Sequence, residues 1–205
     1  RWEEQYPHAF ITVYDNFTAV AEQLPNVKLS THREPLLAAT AEAFWGCISK
    51  WPQKLLALPE VWQLWWWALL HHYLPGALLE FRVYDVPELV DSYSRYVQKG
   101  DERRPFRPNE ELPTILHAIH DRLAKFGFIH WLLLVDDIDN TLAHNKDALS
   151  KILTPLVNTP SLFRDSITWK FFLAESALDV LEGSLARSRS GLEIIQPNLD
   201  KEESK

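Results

Sequence analysis

Two kinds of hydrophobic pattern alternate along this sequence. Short runs rich in β-branched and aromatic residues predict strands at 8–14, 129–135 and 167–173, with a shorter strand at 192–195. Longer segments with apolar residues at helical spacing predict helices at 34–50, 60–73, 87–98, 109–126, 146–157 and 175–187. Because strands alternate with helices, the pattern predicts an α/β fold with a mainly parallel sheet.

The spacing of the strands indicates how the chain is organised. The segment 15–128 between the first two strands is far longer than a usual crossover, so we expect most of it to be a helical insertion at about 34–126. Asn109 is the expected cap of the last inserted helix, and Gly127 its expected end. We expect a single domain over 1–200 and a solvated tail at 201–205.

Composition excludes several classes of function. Asp and Glu number 28 against 21 Lys and Arg, and the net charge of −7 argues against a general nucleic-acid surface. The single cysteine, Cys47, excludes an internal disulfide framework and favours a reducing compartment, so we predict a cytoplasmic location. The most apolar stretch, 55–81, contains Pro, Glu, Gln and His, which argues against a membrane span.

The segment 131–141, WLLLVDDIDNT, carries the clearest chemical signal. A buried strand that ends in Asp136 and Asp137, with Asp139 close behind, puts carboxylates at the carboxyl edge of a parallel sheet. Carboxylates crowded there repel each other unless a cation joins them, and Mg²⁺ suits such oxygen ligands. The alternative is a solvated Asp-rich turn that caps the next helix.

This segment resembles the Walker B strand of P-loop NTPases, in particular the AAA+, KAP and STAND branches. The KAP form, apolar-Asp-Asp-apolar-Asp, is similar to residues 135–139. The resemblance implies ATP and Mg²⁺ as cofactors, with Asp136 and Asp139 at the metal. It also implies that Asp137 orients or deprotonates the attacking water.

The order of elements after this strand agrees with the same resemblance. The strand at 167–173 would carry a sensor group, for which Glu175 and Ser176 are the nearest candidates. Arg187 and Arg189 lie at the end of the next helix, where AAA+ proteins often place arginines that act on a neighbouring subunit's nucleotide. The alternative for both arginines is a favourable interaction with the helix dipole.

No phosphate-binding loop accompanies these motifs, because the sequence has no Gly-Lys pair. Residues 1–6 resemble the end of the helix that follows a P-loop, so we expect the P-loop before Arg1. The implied fold is an incomplete three-layer P-loop NTPase-like sheet with a helical insertion. The implied function is an ATP-dependent switch or scaffold that acts on protein partners or self-assembles.

A second family competes for the same residues. Residues 137–142, DIDNTL, are similar to the first motif of haloacid dehalogenase-like phosphatases. That resemblance implies a Mg²⁺-dependent phosphatase with Asp137 as nucleophile and Asp139 as general acid/base. The motif normally lies near the start of its domain, which argues against this assignment here.

A third hypothesis is non-enzymatic. Trp65, Trp66 and Trp67 are consecutive and cannot share one helical face. Core packing is the favoured explanation, and the alternative is an exposed aromatic patch for a partner. In that alternative the chain is a degenerate NTPase-fold interaction module that uses its Trp-rich helices.

Overall fold

A computed structural model describes residues 8–76, 87–99, 106–107, 109–136, 138, 145–163 and 167–173. Within these residues the chain is α/β, with three strands in one parallel sheet and a larger number of helices. The predicted α/β class and the parallel direction of the strands are confirmed. The predicted helix at 175–187, the strand at 192–195 and the tail lie outside the described residues.

The sheet consists of β1 (Ala9–Tyr14), β2 (His130–Val135) and β3 (Ile167–Phe171), in the order β1-β2-β3. β2 is the middle strand and pairs in parallel with both neighbours. All of its residues after His130 are buried. A run that is apolar on both faces therefore marks a strand covered on both sides, as the sequence predicts.

The described residues between β1 and β2 are mostly helical, as predicted. The helices are α1 (Thr18–Ala21), α2 (Arg33–Lys50), α3 (Pro52–Leu56), α4 (Glu60–Tyr73), α5 (Pro87–Gln98) and α6 (Leu112–Lys125). After β2 comes α7 (Lys146–Val157), and short 3₁₀ turns lie at Leu29–His32 and Pro160–Phe163. The predicted division into a single domain with an insertion remains a prediction.

The predicted start of α6 at an Asn109 cap is wrong. The helix begins at Leu112 after Glu111, whose side chain forms no capping hydrogen bond. Pro113 lies in the first turn, where its fixed φ favours helix initiation and its missing N–H costs nothing. The start is therefore determined by a proline rather than by the asparagine.

The predicted end of α6 at Gly127 is confirmed. Gly127 has a φ of 88°, and its N–H donates to the Ala124 carbonyl at 3.1 Å. The Phe128 N–H reaches back to the Leu123 carbonyl at 3.2 Å. This pair of hydrogen bonds is a Schellman motif, which needs a residue at positive φ and directs the chain into β2.

The three consecutive tryptophans are all buried, each among different neighbours. Trp66 stacks on Phe44 with ring centroids 3.7 Å apart, and Trp65 meets Phe106 edge-on at 5.3 Å. The Trp67 Nε1 donates to the Ser92 Oγ at 2.9 Å. The core-packing explanation is therefore confirmed for these side chains, because each faces a separate part of the core.

In the part of the chain that the structure describes, no helix is both long enough and apolar enough to cross a membrane.

Candidate functional site

The carboxyl edge of the sheet holds the backbone of Asp136 from both sides. The register aligns Tyr14, Val135 and Phe171 across the three strands. The Asp136 N–H donates to the Tyr14 carbonyl at 3.1 Å, and the Phe172 N–H donates to the Val135 carbonyl at 2.8 Å. The residue that follows the buried strand therefore has a fixed position at the edge.

Asp136 presents its side chain at the surface, whereas Ile138 returns to the core. Asp136 is exposed and Ile138 is fully buried. Burial of Ile138 thus fixes the chain just beyond the edge of the sheet. A carboxylate held between two buried, apolar positions is well placed to face a ligand.

A second acidic residue, Asp15, directly follows the neighbouring strand β1. Asp15 and Asp136 are the residues that follow the paired positions Tyr14 and Val135. Adjacent strands lie about 4.8 Å apart, and residues in register project to the same face. Asp15 is also exposed, so two acidic residues occupy adjacent positions at this edge.

These residues fit part of a magnesium site. Exposed carboxylate oxygens are the donors that Mg²⁺ prefers, and this ion usually takes only one or two of them from the protein. Among residues with described positions, no group of three or more His, Cys, Asp and Glu side chains forms a metal cluster. Asp136 and Asp15 therefore offer one or two oxygen ligands and no closed cage.

A buried hydrogen-bond network lies next to the carboxyl edge of the sheet and stabilises it. The His32 Nε2 lies 2.9 Å from the Ile152 carbonyl, so this nitrogen carries the proton and donates. The His32 Nδ1 then accepts from the Tyr14 hydroxyl at 2.9 Å. Since Tyr14 also accepts from the Asp136 N–H, the network connects α7 to the position of Asp136.

Burial determines the protonation of this network. Desolvation lowers the pKa of His32 to about 4, although its hydrogen bond to Ile152 acts in the opposite direction. Desolvation also raises the pKa of Tyr14 far above its usual range. His32 is therefore a neutral imidazole and Tyr14 a neutral phenol near neutral pH, which is the state that the two hydrogen bonds require.

Of the site residues predicted from the sequence, the structure describes only Asp136, and it places Asp136 at the predicted edge. The other candidates are Asp137, Asp139, Glu175, Ser176, Arg187 and Arg189, and they lie outside the described residues. Their predicted roles stay predictions.

Sequence reasoning did not identify Asp15, Tyr14 or His32 as site residues. Asp15 had a usable signal, because a polar residue that closes a parallel strand must lie at the same edge as Asp136. His32 had no such signal in the sequence, because its partners Tyr14 and Ile152 are 18 and 120 positions away along the chain.

Comparison with protein-family models, with curated proteins and with solved structures gives no match for this chain.

Proposed function

We propose that this chain is the Walker B side of an AAA+-like P-loop NTPase domain of the STAND or KAP type. In this proposal it works as an ATP-dependent switch or scaffold that acts on protein partners or self-assembles. Asp136 is its magnesium ligand at the carboxyl edge of the sheet.

The order of the strands is the observation that carries the proposal. The resemblance treats β1, β2 and β3 as the second strand, the Walker B strand and the sensor strand. The sheet has these strands parallel and adjacent in that order, with the Asp-terminated strand in the middle. Their carboxyl ends share one edge, where a nucleotide would meet side chains from all three.

The roles proposed for individual residues follow from this placement. Asp136, whose backbone is fixed by its hydrogen bond to Tyr14, would hold Mg²⁺ directly or through water. Bound Mg²⁺ supplies charge stabilisation to the phosphoryl oxygens. Asp137 would orient the attacking water, with Asp139 as a further metal ligand.

Residues from the following elements would complete the proposed site. Glu175 or Ser176, just beyond β3, would act as the sensor. Arg187 or Arg189 would reach the nucleotide of a neighbouring subunit. The proposal also requires a phosphate-binding loop.

ATP turnover by the full-length protein tests the proposal. Asp136→Asn preserves the side chain's size and the backbone hydrogen bond but removes the charge that binds Mg²⁺. We expect this variant to lose Mg²⁺-dependent ATP hydrolysis by about 100-fold or more. The matched control is Asp121→Asn on α6, because Asp121 is 82% exposed and distant in sequence from the site.

Two results would contradict the proposal. The first is unchanged ATP turnover in the Asp136→Asn variant. The second is hydrolysis of a phosphate monoester without nucleotide that is lost in Asp137→Asn but kept in Asp136→Asn. That second pattern would identify the phosphatase alternative, in which Asp137 is the nucleophile.

A further inference from the structure

A surface of mixed lysine and aromatic side chains lies at the opposite end of β2 from Asp136. We call it the lysine–aromatic patch and define it as Lys50, Trp51, Lys54, Phe128 and Ile129. Lys50 is the last residue of α2, Lys54 lies in α3, and Phe128 and Ile129 directly precede β2. The patch therefore combines two helix ends with the entry to the middle strand.

The lysine and aromatic side chains of the patch lie close to one another. The Lys54 Nζ lies 5.3 Å from the centroid of the Trp51 ring and 4.9 Å from that of Phe128. The Lys50 Nζ lies 6.0 Å from the Trp51 ring centroid. These are cation–π distances, so the two ammonium groups and the two rings form one continuous surface.

The patch exposes apolar area next to these charges. Trp51 is 44% exposed and Ile129 is 59% exposed. A single large apolar side chain with this exposure is common on a protein surface. A tryptophan beside basic residues, however, is typical of the side chains that anchor a protein interface. The exposed area thus offers an apolar contact that adjoins two cations.

The charges around the patch are the next feature of this surface. Among the residues that the structure describes, Lys50 and Lys54 form no ion pair, whereas Lys99 pairs with Glu60. Asp and Glu exceed Lys and Arg by 28 to 21 in the whole chain. A local positive surface on an acidic protein creates a field that attracts an anionic partner.

Helix electrostatics explains only part of this arrangement. Lysines at helix C-termini interact favourably with the helix dipole, and Lys50 and Lys125 are both the last residues of their helices. Lys125 also lies 5.6 Å from the Trp62 ring centroid. The dipole accounts for the positions of the charges but not for the exposure of Trp51 and Ile129.

We propose that the lysine–aromatic patch binds a short acidic segment of a partner protein, one that carries an apolar side chain beside its carboxylates. The carboxylates pair with Lys50 and Lys54, and the apolar side chain packs on Trp51 and Ile129. This inference deepens the partner side of the proposed function, on which it rests.

An acidic segment fits the surface better than a lipid bilayer or a nucleic acid. Both of these present an extended negative surface to the whole protein, whose net charge is −7. A short segment meets only the patch.

The patch and the candidate nucleotide edge can be occupied together. β2 runs from His130 to Val135 between them, and its five steps of about 3.3 Å separate the two ends by roughly 17 Å. A partner bound at the patch leaves Asp136 accessible.

The test is a binding titration with the whole chain and no nucleotide, so it is independent of ATP turnover. The probe is a short fluorescein-labelled peptide of repeated Glu-Glu-Leu. Its binding is measured by fluorescence anisotropy at low salt. We expect saturable binding that the double variant Lys50→Gln/Lys54→Gln weakens by about tenfold. Trp51→Ala should weaken it by about fivefold, with the salt dependence unchanged.

Matched controls make the test specific. Lys28→Gln/Lys151→Gln removes the same charge from exposed lysines outside the patch and should change binding by less than about twofold. Circular dichroism should show that every variant is folded. A peptide of repeated Gln-Gln-Leu should not bind.

Three results would overturn the proposal. One is the absence of saturable binding to the acidic peptide. Another is an equal loss of binding in the control pair. The last is tighter binding to phosphatidylserine vesicles or to single-stranded oligonucleotides that depends on Lys50 and Lys54, which would assign the patch to a different class of partner.

Discussion

His32 stabilises the carboxyl edge of the sheet through two hydrogen bonds that only one neutral tautomer can form. Its Nε2 donates to the Ile152 carbonyl and its Nδ1 accepts from the Tyr14 hydroxyl. Protonation of Nδ1 would place two donors against each other and a charge in the core. The structure therefore favours the neutral imidazole.

Stability should depend on pH through this residue. The pKa of His32 is about 4 in the folded protein, against 6.5 for an unperturbed histidine, because of desolvation. The unfolded chain therefore binds the proton first as the pH falls. The contribution of His32 is fully present above pH 6.5 and is lost as the pH falls from 6.5 towards 4, by up to about 3 kcal/mol.

Urea unfolding at several pH values measures this effect. His32→Phe should lower the free energy of unfolding near neutral pH by about 1–3 kcal/mol, because the Tyr14 hydroxyl loses its partner. It should also flatten the dependence between pH 6.5 and 4. The control His130→Gln, at an exposed histidine, should keep the wild-type slope. An equal slope in the wild type and His32→Phe would contradict the account.

Helix bounds were the part of the structure that sequence patterns predicted best. The helices at Glu60–Tyr73, Pro87–Gln98 and Lys146–Val157 have the predicted bounds. Proline or an Asn cap marks each start, and apolar periodicity covers each length. The short helix Pro52–Leu56 was not predicted, because five residues are too few to show a period.

Two glycines, one inside a helix and one just beyond a helix end, should respond in opposite directions to the same substitution. Gly46 is exposed within α2, and an added Cβ there meets nothing within 4 Å. Gly46→Ala should therefore raise the free energy of unfolding by about 0.5–1 kcal/mol. Gly127 has a φ of 88°, so Gly127→Ala should lower it by about 1–2 kcal/mol.

Thermal or urea unfolding of the two variants checks this pair. The changes are matched in size, and neither glycine has a close neighbour that a methyl group would touch. Backbone conformation is then the only difference between the sites. A stabilising effect at Gly127 would contradict the Schellman motif at the end of α6.

At the scale of the whole molecule, the alternation of strands and helices predicted the α/β class but not which residues meet. The parallel sheet follows from the long connections, since strands joined by helices run in the same direction. The neighbours of Trp65, Trp66 and Trp67 come from separate parts of the chain, including Phe44, Ser92 and Phe106. Contacts between residues so far apart in the sequence leave no local sequence pattern from which they could be predicted.

The candidate site likewise has one part that the local sequence predicted and another that only the tertiary structure shows. Asp136 was predicted because hydrophobic burial and a terminal carboxylate are adjacent in sequence. The support from Tyr14 and His32 depends on the register of β1 against β2 and on the packing of α7. These are features of the tertiary structure. The motif therefore indicated where the site lies, whereas the contacts that hold the edge in place appear only in the fold.

Isothermal titration calorimetry of ATP binding to the full-length protein, with and without Mg²⁺, shows whether Asp136 is a magnesium ligand of a nucleotide site. We expect Mg²⁺ to tighten ATP binding in the wild type and in Asp121→Asn. In Asp136→Asn this effect of Mg²⁺ should be lost, while binding without the metal is kept. An equal gain in affinity from Mg²⁺ in Asp136→Asn, or no ATP binding at all, would contradict the assignment of Asp136 as a magnesium ligand of an NTPase.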